Sequence, residues 1–206
     1  SQTINSTISN NIIGPINITS ASSGPVGISI NTGNANSNLI ISNNTISGLN
    51  INQAAVLNGI TIGGLTGNVL ITKNRISDIK NTYVSATSAY GAYAISLGSS
   101  LTAANITLAN NFIWDVAAYG RNNLTFHNGY GVYISAGGGY NLYHNTISLT
   151  TDQTLATGFP ACINISSSVT TPSSLDIRNN IFANYQTVGT DRYAIICNAA
   201  NTVFAN

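Results

Sequence analysis

The chain has 206 residues, and only 5% of them are charged, against about 25% in ordinary globular proteins. Six basic side chains (Lys73, Arg75, Lys80, Arg121, Arg178 and Arg192) against five Asp leave a net charge of +1 with no long basic stripe, so there is no electrostatic case for nucleic acid as a partner. No apolar run approaches the roughly 20 residues of a membrane helix, which argues against membrane insertion, and a hydrophobic content of 43% argues against disorder.

In chain order, one short motif recurs six times: Asn10-Asn11-Ile12-Ile13, Asn43-Asn44-Thr45-Ile46, Lys73-Asn74-Arg75-Ile76, Asn110-Asn111-Phe112-Ile113, His144-Asn145-Thr146-Ile147 and Asn179-Asn180-Ile181-Phe182. Its second residue is always Asn (Asn11, Asn44, Asn74, Asn111, Asn145, Asn180), with spacings of 33, 30, 37, 34 and 35 residues. Three residues before that Asn stand Ile8, Ile41, Ile71, Leu108, Leu142 and Ile177. Two after it stand Ile13, Ile46, Ile76, Ile113, Ile147 and Phe182, and five after it Ile16, Leu49, Ile79, Val116, Thr150 and Tyr185. Between motifs lies a further strand, beginning at Gly27, Gly59, Ala94, Gly131, Cys162 and Ala194. The apolar and polar residues alternate, and β-branched residues are punctuated by Gly, Asn and Ser, so the segments read as short strands. Helix is a poor reading for a chain rich in Ile, Thr, Asn, Ser and Gly.

Each repeat of 30–37 residues carries two or three strands, which predicts an all-β fold: a right-handed parallel β-helix of about six turns, forming a single domain over 1–206 and rising about 29 Å. The recurring Asn is expected to turn the chain at a corner through left-handed backbone angles, and to stack its side chains into an amide ladder between turns. The in-register Ile columns supply the core, at about 1.5–3 kcal/mol per buried side chain. Ser1 and Asn206 both fall in repeat-like sequence, so the chain reads as an uncapped segment of a longer solenoid. The register points Cys197 inward and Cys162 outward, and leaves open whether they pair.

Function in a solenoid sits where turns depart from the consensus. The segments at 80–93 and 117–130 are the longest, and eight of the ten Tyr lie between Tyr83 and Tyr143. Tyr83, Tyr90, Trp114, Tyr119 and Tyr130 are therefore candidate glycan-stacking residues; the alternative is that these rings cover loops or pack against another chain. Asp78 and Asp115 both fall four residues after the motif Asn on consecutive turns, which places like charges side by side. Such a pair would bind a cation, Ca²⁺ among them, or share a proton as a catalytic dyad with Lys73 or Arg75 as the nearby base. The plainer reading is that Lys73, Arg75 and Lys80, on the same turn as Asp78, neutralise the pair at the surface. His127 and His144 have no metal-ligand spacing, and no site for a metal or other cofactor is otherwise legible.

The stretches Asn110–Val116, Tyr130–Ser135, Tyr143–Leu149 and Leu175–Asn184 resemble the large secreted β-helix repeat proteins of Bacteroidota-type bacteria. That resemblance implies export by type IX secretion and residence at the cell surface. The fold it implies is shared with the pectate lyase superfamily, but no catalytic motif of those enzymes aligns here. The leading expectation is a non-catalytic extracellular segment, structural or adhesive and able to form fibres. Its partners would be further β-helix turns of the same chain or identical chains. The alternatives are a polysaccharide lyase or hydrolase, and a glycan-binding module.

Overall fold

A computed structural model describes residues 5–18, 24–84, 90–120 and 127–205. Three parallel sheets form the walls of a β-solenoid. The first sheet is built from Ser6–Ser9, Leu39–Ser42, Val69–Thr72, Ile106–Ala109, Tyr140–Tyr143 and Leu175–Arg178. The second sheet takes Ile12–Ile13 with Ile16–Ile18, then Thr45–Ile51, Arg75–Asn81, Phe112–Ala117, Thr146–Leu149 and Ile181–Asn184. The third takes Val26–Thr32, Leu57–Gly64, Ala92–Leu97, Gly129–Ile134, Ala161–Ile165 and Tyr193–Cys197. The chain visits the three walls in that order and then repeats, so about five full turns separate the first and last strands of each wall. The second turn pairs with the third as Ile41↔Ile71, Ile46↔Ile76 and Ile60 with Ile95. Matching residues thus stack into columns, and Ile41, Ile46, Ile60, Ile71, Ile76 and Ile95 are all fully buried. A seventh level begins beyond the last complete turn: Phe204 forms a parallel bridge to Leu175 after a 3₁₀ turn over Asn201–Val203.

The corner between the first and second sheets is made by two adjacent residues with different tasks. The left-handed backbone belongs to the residue before the recurring Asn. Asn10, Asn43, Lys73, Asn110, His144 and Asn179 all have φ between 55° and 59°. This corrects the expectation that the recurring Asn itself adopts left-handed angles. Once its predecessor has turned the chain, the next side chain is aimed along the solenoid axis, and it takes up hydrogen bonding instead. The Nδ2 of Asn44 donates to Asn74 Oδ1 at 3.0 Å and to the Ile8 carbonyl at 2.9 Å, while the Asn44 backbone N–H donates to that same Oδ1 at 3.0 Å. The pattern repeats from Asn11 to Asn180. In the middle turns each amide uses two donor and two acceptor sites, its full capacity. That is why Asn44, Asn74, Asn111 and Asn145 can all be buried.

Two further departures follow from packing. In the second sheet, pairing passes over Gly48, Asp78 and Asp115, which have φ of 73°, 52° and 57°. This extra residue lets Leu49, Ile79 and Val116 face inward five residues after the Asn. The fifth turn lacks it: strand Thr146–Leu149 runs straight, Leu149 is fully buried, and Thr150 is exposed, as is Tyr185 on the sixth. The column at five residues therefore holds only in the earlier turns. In the third sheet, pairing passes over Gly59, Ala94, Gly131 and Cys162, and these turn inward together with the Ile or Val that follows. Space there is tight; a Cβ on Gly131 would lie 2.4 Å from Ile147 Cγ2. Cys162 belongs to this inward column and is fully buried, which corrects its outward assignment. Cys197 pairs instead with Ile165, further along the strand, and both thiols are free.

Candidate functional site

The second sheet brings Asp78 and Asp115 together on its outer surface, each on a left-handed bulge. Between them stands Lys80, with its Nζ 2.9 Å from Asp78 Oδ1 and 2.9 Å from Asp115 Oδ2. Asp78 also accepts from Asn50 Nδ2 at 3.0 Å, and Thr151 donates its hydroxyl to Asp115. Burial pushes the Asp78 carboxyl upward, but hydrogen bonds from Lys80 and Asn50, with the Lys80 charge, outweigh it and hold Asp78 below its ordinary value. For Lys80, burial works against the ammonium, yet hydrogen bonds to both carboxylates and their charges raise it. Asp78 and Lys80 are thus each stabilised in their charged forms. A proton-sharing dyad at Asp78 requires its carboxyl to have a raised pKa, and a general base requires a Lys with a lowered one; Asp78 and Lys80 move the opposite way. The two other candidate bases are placed elsewhere. Lys73 occupies a left-handed corner, and Arg75 lies over the Trp114 ring with 5.8 Å to its centroid. Among the described residues, no group of three or more His, Cys or Asp side chains is arranged to hold a metal ion.

Among the described residues, the aromatic rings in contact with one another form three groups rather than one surface. Trp114 stacks on Phe112 with 4.6 Å between centroids, on the outer face of the second sheet. Tyr83, Tyr90 and His127 sit in sequence at 6.1 and 5.8 Å, where the chain passes from the second sheet to the third. Tyr93, Tyr130 and Tyr133 pack on the outer face of the third sheet, with Tyr93 and Tyr130 stacked at 5.7 Å and 11°. Tyr130 is completely buried, so it presents no ring face to a sugar; this removes it from the glycan-stacking candidates. Burial drives its hydroxyl far above the usual tyrosine range despite a hydrogen bond from Asn128. Tyr119 is half-buried, and its backbone carbonyl accepts from the Leu155 N–H at 2.7 Å. Phe126 and Arg121, in the longer insertion, lie outside the described residues.

The sequence pattern did not single out a second file of Asn. Asn5, Asn38, Asn68 and Asn105 each directly precede a first-sheet strand. Asn38, Asn68 and Asn105 have φ of 43°, 54° and 52°. Unlike the buried ladder, this file faces solvent. Asn38 Nδ2 donates to Asn5 Oδ1 at 3.2 Å, Asn68 Nδ2 to Asn36 Oδ1 at 2.9 Å, and Asn105 Nδ2 to Asn68 Oδ1 at 2.7 Å. It borders an open groove of about 730 Å³ that continues over Thr7, Ile40, Leu70 and Thr107. The signal was present in the sequence as a repeated Asn before an apolar strand, but the chain is so rich in Asn that it did not stand out. No known protein family, curated protein or solved structure matches the chain.

Proposed function

We propose that the chain is a non-catalytic structural segment of an exported surface protein, a stiff polar-walled spacer that works beside further β-helix turns of its own chain or of identical chains. The observation that carries this reading is the amide ladder. The residue that recurs in every turn directs its hydrogen bonds to the neighbouring turns, from Asn11 through to Asn180. A fold in which each turn contacts only its neighbours resists bending and extension through such axial contacts. The near-absence of charge and the resemblance to secreted β-helix repeat proteins support an extracellular setting, with type IX secretion as the export route.

The enzymatic alternative would have to act through Asp78 and Asp115, and their closure around Lys80 supports the structural reading instead. The test is to incubate the wild-type chain and a D78N/D115N variant with uronate polymers and neutral polysaccharides. No depolymerisation by either protein is the expected result. Cleavage by the wild type that disappears in the variant would overturn the proposal in favour of a lyase or hydrolase. In the producing cells, antibody and protease should reach the segment without lysis; protection in intact cells would remove the surface assignment.

A further inference from the structure

We infer that the groove on the first sheet is a binding site for an extended, uncharged polysaccharide laid along the solenoid axis. Its residues separate into a polar border and an apolar floor. The border is the file Asn5, Asn38, Asn68 and Asn105, exposed except for the half-buried Asn68, and the floor is the outward-facing Ile40 and Leu70, with Ile40 39% exposed. Thr7 and Thr107 lie at the two ends of that floor, in the same column, since Thr7 pairs with Ile40, Ile40 with Leu70, and Leu70 with Thr107.

Three features select the ligand class. First, none of the groove's residues is ionisable. A uronate polymer or a nucleic acid would meet no cation there, and a polyamine no anion. The neutral stretch ends two levels beyond Thr107, where Asp176 pairs with Arg178 in the last complete turn. Second, an exposed carboxamide offers a donor and an acceptor side by side, which matches adjacent sugar hydroxyls. Asn5, Asn38 and Asn105 are each engaged with a neighbour through one Nδ2 or Oδ1 contact and Asn68 through one of each, which leaves every one of these amides at least one further donor and one further acceptor site. Third, levels of a parallel sheet repeat about every 4.8 Å, and an extended chain of β-linked hexopyranoses repeats at a similar interval. Successive sugars therefore meet successive amides in register, while their apolar C–H faces lie on Ile40 and Leu70. A peptide added as an extra strand is the wrong occupant. Leu39–Ser42, Val69–Thr72 and Ile106–Ala109 are paired to the turns on either side, so the groove across them offers side chains; the open edge of Ser6–Ser9 lies at its end, and a strand added there would run across the solenoid axis and not along the groove.

This inference goes beyond the structural reading. Loss of one leaves the other standing, because a spacer that binds no glycan is still a spacer, and a glycan that binds but is cleaved would overturn only the non-catalytic claim. The test uses cellohexaose, mannohexaose and a hexagalacturonate against the wild-type chain, followed by calorimetry and by methyl NMR of Ile and Leu. At least one neutral hexasaccharide is expected to bind with a roughly millimolar Kd, to shift the Ile40 and Leu70 methyls, and to be insensitive to added salt. An N68G/N105G variant keeps the left-handed corners while removing two amides, and should weaken binding by about tenfold or more. W114A, on a different sheet, should leave it unchanged. The inference is overturned if neither neutral sugar binds, if hexagalacturonate binds as tightly, or if shifts map away from Ile40 and Leu70. Self-association through this face in sedimentation, competing with sugar, would equally reassign it to a second copy of the chain. Should the glycine variant fail to fold, the methyl shifts on wild type decide.

Discussion

Asn111 shows what a single ladder residue does. Its Oδ1 accepts from both the backbone N–H and the Nδ2 of Asn74, and its own Nδ2 donates to Ile71 O and Asn145 Oδ1, all at 2.9–3.0 Å. Replacing it with Ala strands groups on both neighbouring turns, each buried away from water. With about 1–3 kcal/mol for each unsatisfied group, Asn111→Ala should cost at least about 3 kcal/mol in urea unfolding. A cost below about 1 kcal/mol would show that water enters and replaces the amide. The residue before the ladder Asn behaves differently. Lys73 holds φ of 56°, a conformation that Asn tolerates better than Lys. Lys73→Asn should therefore stabilise the chain, by about 0.5–1 kcal/mol, even though it removes an exposed charge. The two cysteines also separate at this scale. Burial pushes the Cys162 thiol up to about 12, whereas Cys197 is exposed. Native protein treated with iodoacetamide at neutral pH should take up one adduct, on Cys197, and a second only after unfolding.

The strands themselves are shaped by where small or left-handed residues interrupt the pairing. At Gly131, a Cβ would lie 2.4 Å from Ile147 Cγ2 and 2.8 Å from the Cys162 carbonyl. Gly131→Val is expected to destabilise by about 1–3 kcal/mol or more through overpacking, while the same column accepts Ala at Ala94 and a thiol at Cys162. In the second sheet the Asp78–Lys80–Asp115 triplet sets a pH dependence. The Asp78 pKa is depressed in the folded state, so its contribution is complete above its ordinary value of 3.8 and is lost as pH falls through the lower folded value. The Lys80 pKa is raised, so its contribution is complete below its ordinary 10.5 and is lost as pH rises through the higher folded value. Between those limits stability should be insensitive to these groups. A Lys80→Met variant should lose both the acid and the alkaline legs in thermal melts across pH. The triplet is part-exposed, so its effect will be modest and smaller in high salt.

At the scale of the molecule, each turn is held by its neighbours; among the described residues the strands of the first turn pair on one side only, and those of the sixth do so apart from the bridge of Leu175 to Phe204. In the inward column two residues after the ladder Asn, Ile46, Ile76, Ile113 and Ile147 are buried, whereas Ile13 in the first turn and Phe182 in the sixth are only half-buried. Hydrogen exchange should therefore be slowest in the third and fourth turns and quicken toward both ends. Uniform protection along the solenoid would show that the turns open only together.

The fold was legible because its signal is repeated. Six Asn with apolar residues fixed in position before and after them specify strand, corner and stacking, and each turn repeats the statement. The same repetition hid two details. Within the Asn-Asn pair, the sequence does not say which residue turns the chain and which forms the ladder; Lys73 and His144, standing at the first position, were the available clue. Alternation also assigns Cys162 to the outside, because a period of two assumes an unbroken strand, and the third sheet breaks the period at that column. Of the candidate site, the sequence placed Asp78 and Asp115 on consecutive turns with Lys80 among the neutralising bases, but not which of Lys73, Arg75 and Lys80 bridges the pair, since side-chain reach depends on the bulge each Asp occupies. It gathered the aromatics into one stretch of chain, whereas successive segments face different walls, so they separate into three groups. The sequence by itself therefore determined the solenoid, its register and its core, which follow from local pattern and neighbour stacking. Only the tertiary structure decided which side chains meet on the outer faces, because that depends on where each turn admits an extra residue.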